Sequence, residues 1–389
     1  MEAQALAGID VAIIVVYMAG VLVLGTYFGR YVHDGGDFFL AGRALPFWAI
    51  GMSIVVSDIG AMDFVAVAGG TYNAGIAQAN FDWIGSMPAM VIAAFIFIPY
   101  YWRSGVYTIP EFLGRRYNVA VQMIHGVIWG IFLFTMLSLM LWVMADKFLN
   151  LYLGWNVYFS IWLMVVVVGI YTFSGGLSAV VLTDVVQMII MFVGGFALLA
   201  IALYEVGGWD GLREGVLAKG PEYQDHFTIL LPNDSPTAFP WTGIVFGLGI
   251  VMATAYMSGN QAVVQRTLGA RSEWDAKAGM IFAGFLKSFI PVLVAIPGLC
   301  AIVLLPPLES GDDAVPRLMG EFLPPGVRGL MFAALFAALM SSIDSYLNSA
   351  SAIWTTDIYG RTRALLGGEE LGERHALLVG RGFTVGFIL

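Results

Sequence analysis

Apolar residues in this chain do not alternate with polar ones; they run together. Ten stretches stand out, at residues 9–29, 47–72, 82–102, 119–145, 157–173, 179–204, 241–262, 278–305, 329–354 and 376–389. About 20 apolar residues in a helix cross a hydrocarbon core about 30 Å thick. The first nine stretches have that scale. The tenth has 14 residues and reaches Leu389 without a polar stop, so the pattern leads us to expect a span that continues beyond this chain. Membrane β-strands would alternate over about ten residues, and these runs do not. The prediction is an all-α membrane protein with one transmembrane domain over 1–389.

Composition supports this prediction. Of 389 residues, 59% are hydrophobic and 12% charged, against about 25% charged in soluble domains. The single cysteine, Cys300, excludes an intrachain disulfide and sits in an apolar run, as a packing residue would. A net charge of −9 argues against a nucleic-acid partner. Met1–Gly8 has no basic region ahead of the first run, so that run reads as a retained helix and not a cleaved signal. With the N-terminus outside, twelve Lys and Arg fall on inner segments, Arg266 among them, and five on outer ones including Lys147. This bias favours a multi-pass protein of the plasma (inner) membrane with an external N-terminus. The outer segments 205–240 and 306–328 are acidic. They form either a solvated face or an attractor for cations, and the second has room for a short surface helix.

Polar residues inside the runs carry the chemistry, because an ionisable group within a span is costly and is a functional candidate by default. The second run contains Ser53, Ser57, Asp58, Gly60 and Asp63. Glycines beside short polar residues suit a broken helix, whose freed carbonyls can turn to a cation. Small residues also serve tight helix packing, but packing does not explain two aspartates. In the ninth run, Ala338, Ser341, Ser342 and Ser345 lie three or four apart and so share a face. The seventh run carries Tyr256, Ser258, Asn260 and Gln261, and the eighth carries Lys287 too deep to snorkel, so a partner is expected for it. Asp184, at the start of the sixth run, is either an acid favoured by a helix N-terminus or part of an ion path. No HExxH, no Cys/His cluster and no phosphate-binding GxxxxGK[ST] loop occurs. The chain therefore reads as neither an enzyme nor an ATP-driven pump, and no cofactor is expected.

Five ordered motifs carry a family resemblance. They are Phe39-Leu40-Ala41-Gly42-Arg43 followed by Leu45-Pro46-Phe47-Trp48, then Tyr107-Thr108-Ile109-Pro110-Glu111, and Gly175-Gly176-Leu177-Ser178 with Thr183-Asp184. Asn260-Gln261 with Gln265-Arg266-Thr267-Leu268, and Ser341-Ser342-Ile343-Asp344-Ser345, complete the set. Through them the sequence resembles the sodium:solute symporter family, that of the sodium/glucose cotransporters, over nearly its whole length. The resemblance implies a LeuT-type (APC-like) fold of two inverted five-helix repeats, each with its first helix broken. Helix 9–29 would be extra, 47–204 the first repeat, and 241–389 an incomplete second one. It also implies a sodium site at the carbonyls of Val56, Ile59 and Ala338 and the hydroxyls of Ser341 and Ser342. Na⁺ would be the coupling ion, Asp184 the acid linked to ion exit, Tyr256 an inner gate and Lys287 its neighbour. The sugar positions of the bacterial galactose cotransporters fall at Asp63, Phe81, Asp82 and Ala253. There a Gln has become Asp63, a Glu has shortened to Asp82, an Asn has become Ala253, and the aromatic Phe81 remains. The expected function is sodium-coupled import of a small polar solute, foremost a sugar or polyol. The alternatives are an amino-bearing solute, a nucleoside, or a transporter-like sensor unit with a signalling domain beyond this chain. Oligomeric state is left open.

Overall fold

A computed structural model of the chain describes residues 6–150, 154–237 and 239–389, with the side chains of Ala61, Met62, Lys147 and Phe148 outside that set. Among the described residues the regular elements are helical, with two isolated bridges, Leu45 to Ala270 and Leu231 to Pro240. Helix α1 is Gly8–Phe28. The second apolar run is split into α2 (Phe47–Asp58) and α3 (Ala61–Ala74), bent by 61°. Then come α4 (Ile76–Ser104), α5 (Val119–Met144) and α6 (Val157–Glu205). The seventh run is split into α7 (Gly243–Gly259) and α8 (Gln261–Leu268), bent by 54°. Helices α9 (Glu273–Leu304), α10 (Val327–Leu365) and α11 (Glu373–Ile388) follow.

Helix α6 has 49 residues, a length of about 74 Å at 1.5 Å per residue, more than two hydrocarbon thicknesses. It is two spans in series. Gly176, at φ 51° and ψ −144°, leaves helical geometry between them. This is where the sequence separates 157–173 from 179–204. A glycine is required there: a Cβ at Gly176 would stand 2.3 Å from the Phe38 carbonyl oxygen.

Burial orders the helices. Of the most apolar 18-residue stretch of α10, 94% is buried within the protein, against 22% for α1 and 28% for α5. Helix α10 is thus the central element, packed on α6, α5, α1 and α2. This is why it can carry Ser341, Ser342, Asp344, Ser345 and Asn348, all buried: their surroundings are protein and not lipid. Cys300 is buried and unpaired in α9. The acidic connections hold the short helices Gly208–Leu217 and Ala314–Phe322. Asp10, buried near the start of α1, accepts the Gly326 and Gly329 amides at 2.7 and 2.8 Å and so fixes the entry to α10.

Candidate functional site

The break between α2 and α3 is built by three residues. Ile59 is extended at φ −102° and ψ 93°, and Gly60 at φ −78° and ψ 170°. In an unbroken helix the Gly60 amide would bond the Val56 carbonyl; here it donates to the Asp63 carboxylate at 2.7 Å. Asp63 thereby caps α3, and the Val56 carbonyl loses its helical partner.

The serine face of α10 meets this break. Ser342 Oγ lies 3.2 Å from the Ser57 carbonyl and 3.0 Å from the Ala338 carbonyl. Ser341 Oγ lies 2.8 Å from Ser57 Oγ and donates to Asp184 Oδ1 at 2.5 Å. Ala338 and both hydroxyls therefore converge on residue 57, between the buried Val56 and Ile59.

Behind them is a charge pair. Arg266, 1% exposed, lies 3.1 Å from the fully buried Asp184. Its Nε and Nη2 reach Ser53 and Ser57 at 2.5 and 2.6 Å, and it also contacts the Ser345 hydroxyl and the Ala262 carbonyl. Two sequence expectations are corrected here. Arg266 belongs to no inner loop: past the 54° bend at Asn260, α8 is helical and all eight of its residues are buried. Asp184 is no helix-start acid, since it lies eight residues past the Gly176 kink, beyond the first turn where the dipole acts. Asp344, also buried, accepts the Tyr171 hydroxyl at 2.6 Å.

Beside the break lies a cavity of about 530 Å³. Asp63, Phe81, Asp82, Ala253, Tyr256 and Lys287, drawn from α3, α4, α7 and α9, all line it. Lys287, 5% exposed, contacts Asp58 directly and lies 3.3 Å from Asp82. The indole of Trp83 donates to the Ser288 carbonyl at 3.0 Å, pinning α4 to the turn in α9 that presents Lys287. Three further polar or aromatic lining residues, Gln78, Ser86 and Trp129, escaped the sequence reading. None stands at a telling spacing, although a polar Gln between two apolar runs is a weak signal.

At the other break, extended Asn260 caps α8 through the Ala262 amide at 2.9 Å. Gln261 accepts from the Ile109 amide at 2.9 Å and donates to the Tyr107 carbonyl at 3.1 Å, and Gln265 donates to the Phe39 carbonyl at 2.8 Å. The motifs at 39–43, 107–111 and 260–268 thus meet at one end of the helix bundle.

Two broken helices flanking a polar centre, around one buried helix, define a LeuT-type transporter fold. A substrate-bound, outward-open Na⁺-coupled sialic acid symporter superimposes with a TM-score of 0.87, covering 98% of this chain and 80% of that one at 22% identity. A nucleobase-cation-symport-1 family transporter in a closed conformation gives 0.63, over 90% and 72%, at 12% identity. Residues 38–379 match the sodium:solute symporter family, and the chain belongs to that family. It is 35% identical to a sodium/glucose cotransporter of Vibrio parahaemolyticus, over 90% of this chain and 68% of that protein. It is 34% identical to sodium/glucose cotransporter 4 of Danio rerio, over 97% of this chain, and 33% identical to sodium/glucose cotransporter 1 of Sus scrofa over the same share. The chain spans 61% of the length of both animal relatives.

Proposed function

We propose that this chain forms the ion- and solute-binding part of a sodium-coupled symporter that imports a small hydroxyl-bearing solute, a sugar or polyol, across the plasma membrane with its N-terminus outside. The observation that carries the reading is the convergence of Ala338, Ser341 and Ser342 on the α2–α3 break, one helical turn from the Asp63 that lines the cavity. Na⁺ takes several oxygen ligands, and freed carbonyls with two hydroxyls supply them. Val56, Ile59, Ala338, Ser341 and Ser342 hold the ion. Asp63, Phe81, Asp82, Ala253 and Tyr256 face the solute. Asp184 and Lys287 lie on the ion path and beside the gate.

Ion and solute then share α2–α3. Na⁺ bridges the α2–α3 break to α10 and so fixes the cavity wall that carries Asp63, and binding of one favours the other by linkage. Each Na⁺ that crosses also draws about 2.3 kcal/mol per 100 mV from the membrane potential. Titrating purified full-length protein with NaCl against KCl at constant ionic strength tests the ion site. Na⁺ is expected to raise the thermal midpoint, and Ser342→Ala to weaken that effect at least tenfold in half-saturating concentration. An unchanged Na⁺ titration in Ser342→Ala contradicts the site.

A further inference from the structure

The charge in the cavity does not balance. Asp58, Asp63 and Asp82 line it together with one cation, Lys287. That ammonium is divided between Asp58 and Asp82. Asp63 receives the Gly60 amide at 2.7 Å on one oxygen, and among the described residues no side chain donates to it. Carboxylates removed from water are stable only when paired and hydrogen-bonded, and this group is short of positive charge by two when all three are ionised.

A second observation is independent of the acids. Gln78 lines the same cavity, is 9% exposed, and among the described residues its side chain has no hydrogen-bond partner. It is held over Gly70, where a Cβ would stand 2.8 Å from its amide carbon and oxygen. Its amide thus offers both a donor and an acceptor to the cavity, where a solute hydroxyl can satisfy either. The aromatic residues Phe81, Trp129 and Tyr256 supply faces for a carbon skeleton or a cation.

We propose that the solute carries a protonated amine as well as hydroxyls: an aminated sugar or polyol, with the ammonium on Asp63 and Asp82 and a hydroxyl on Gln78. This rests on the cavity being the solute site of the proposed symporter and specifies the solute's charge. A neutral sugar leaves the carboxylates uncompensated, and an anion adds to the excess.

Three six-carbon polyols that differ only at one terminal carbon test it: glucamine with an ammonium, sorbitol with a hydroxyl, gluconate with a carboxylate. Binding to purified full-length protein in saturating NaCl is read by thermal shift and calorimetry. Glucamine is expected to bind at least tenfold more tightly than sorbitol, and gluconate not at all. Asp63→Asn and, separately, Asp82→Asn are expected to lower the glucamine-to-sorbitol affinity ratio at least tenfold. The Asn side-chain carbonyl still accepts the Gly60 amide, so Asp63→Asn retains the α3 start. Sorbitol binding as tightly as glucamine overturns the amine requirement and leaves the hydroxyl-bearing reading standing. A Na⁺ shift with no response to any of the three overturns both. A ratio unchanged in both variants overturns the assignment to Asp63 and Asp82.

Discussion

At Asp63 a single carboxylate caps α3 with one oxygen while the residue also lines the cavity. Its capping role was readable from the sequence only as an acid near a glycine; its cavity role came from the family resemblance. Lys287 was legible as too deep for solvent, but not its partners. Asp58 lies 229 residues away in the chain, and Asp82 is brought to it by the Trp83–Ser288 bond. Removing one side of a buried ion pair costs about 3–5 kcal/mol, because the other charge is left buried. Lys287→Met is therefore expected to lower the thermal midpoint of the full-length protein, and adding Asp58→Asn to recover part of the loss, Asp82 remaining unpaired. Recovery absent in the double variant would mean that the Lys287–Asp58 contact does not stabilise the fold. Gln78 was only faintly legible, as a polar residue between two apolar runs: its meaning comes from what surrounds it, and nothing local in sequence announces that its amide lacks a partner.

Elements were the most readable scale, since apolar runs of span length admit few alternatives in lipid. Even the division of α6 was visible, from the gap at Gly175-Gly176. What the runs could not give was the bend at Asn260. Without it, α8 reads as the start of a loop and Arg266 as an inner-loop charge, when the helix continues at 54° within the core and buries the guanidinium against Asp184. The Gly176 kink predicts a severe local effect. Gly176→Ala places a Cβ 2.3 Å from the Phe38 carbonyl oxygen at a positive φ, a strain of about 1–3 kcal/mol before any clash. Lower recovery of monodisperse protein and a reduced thermal midpoint are expected; a midpoint equal to the parent's would contradict the fixed kink. The connection between α6 and α7 makes a pH prediction. His226, 6% exposed, packs on Gly75 and Tyr223 and contacts the Tyr72 carbonyl. Burial holds its imidazole below the usual 6.5. The folded form keeps it neutral, so the unfolded chain takes up the proton first as pH falls below 6.5. His226 therefore contributes a loss of stability below that pH, which His226→Gln should reduce. Parallel midpoint-against-pH curves for parent and variant would contradict it.

Across the whole molecule, one end is tied and the centre is loaded with uncompensated chemistry. The tie consists of Gln261 on Tyr107 and Ile109, Gln265 on Phe39, the Leu45–Ala270 bridge, and Arg103 on Glu273 at 2.6 Å. Three of the five motifs that carry the family resemblance, at 39–48, 107–111 and 260–268, meet in these contacts, while Asp184 and Ser341 of the other two meet around Arg266. The sequence disclosed the family through these motifs, and none of their residues lines the cavity that holds Asp63, Asp82 and Ala253, so the substrate stayed open. The most direct test is uptake into proteoliposomes containing the full-length protein, with sorbitol and glucamine as probes. An inward Na⁺ gradient is expected to drive accumulation of the transported probe above its external concentration, and equal Na⁺ on both sides with the potential clamped at zero to abolish accumulation. Simple equilibration of the probe, at a rate indifferent to Na⁺, would contradict sodium-coupled symport.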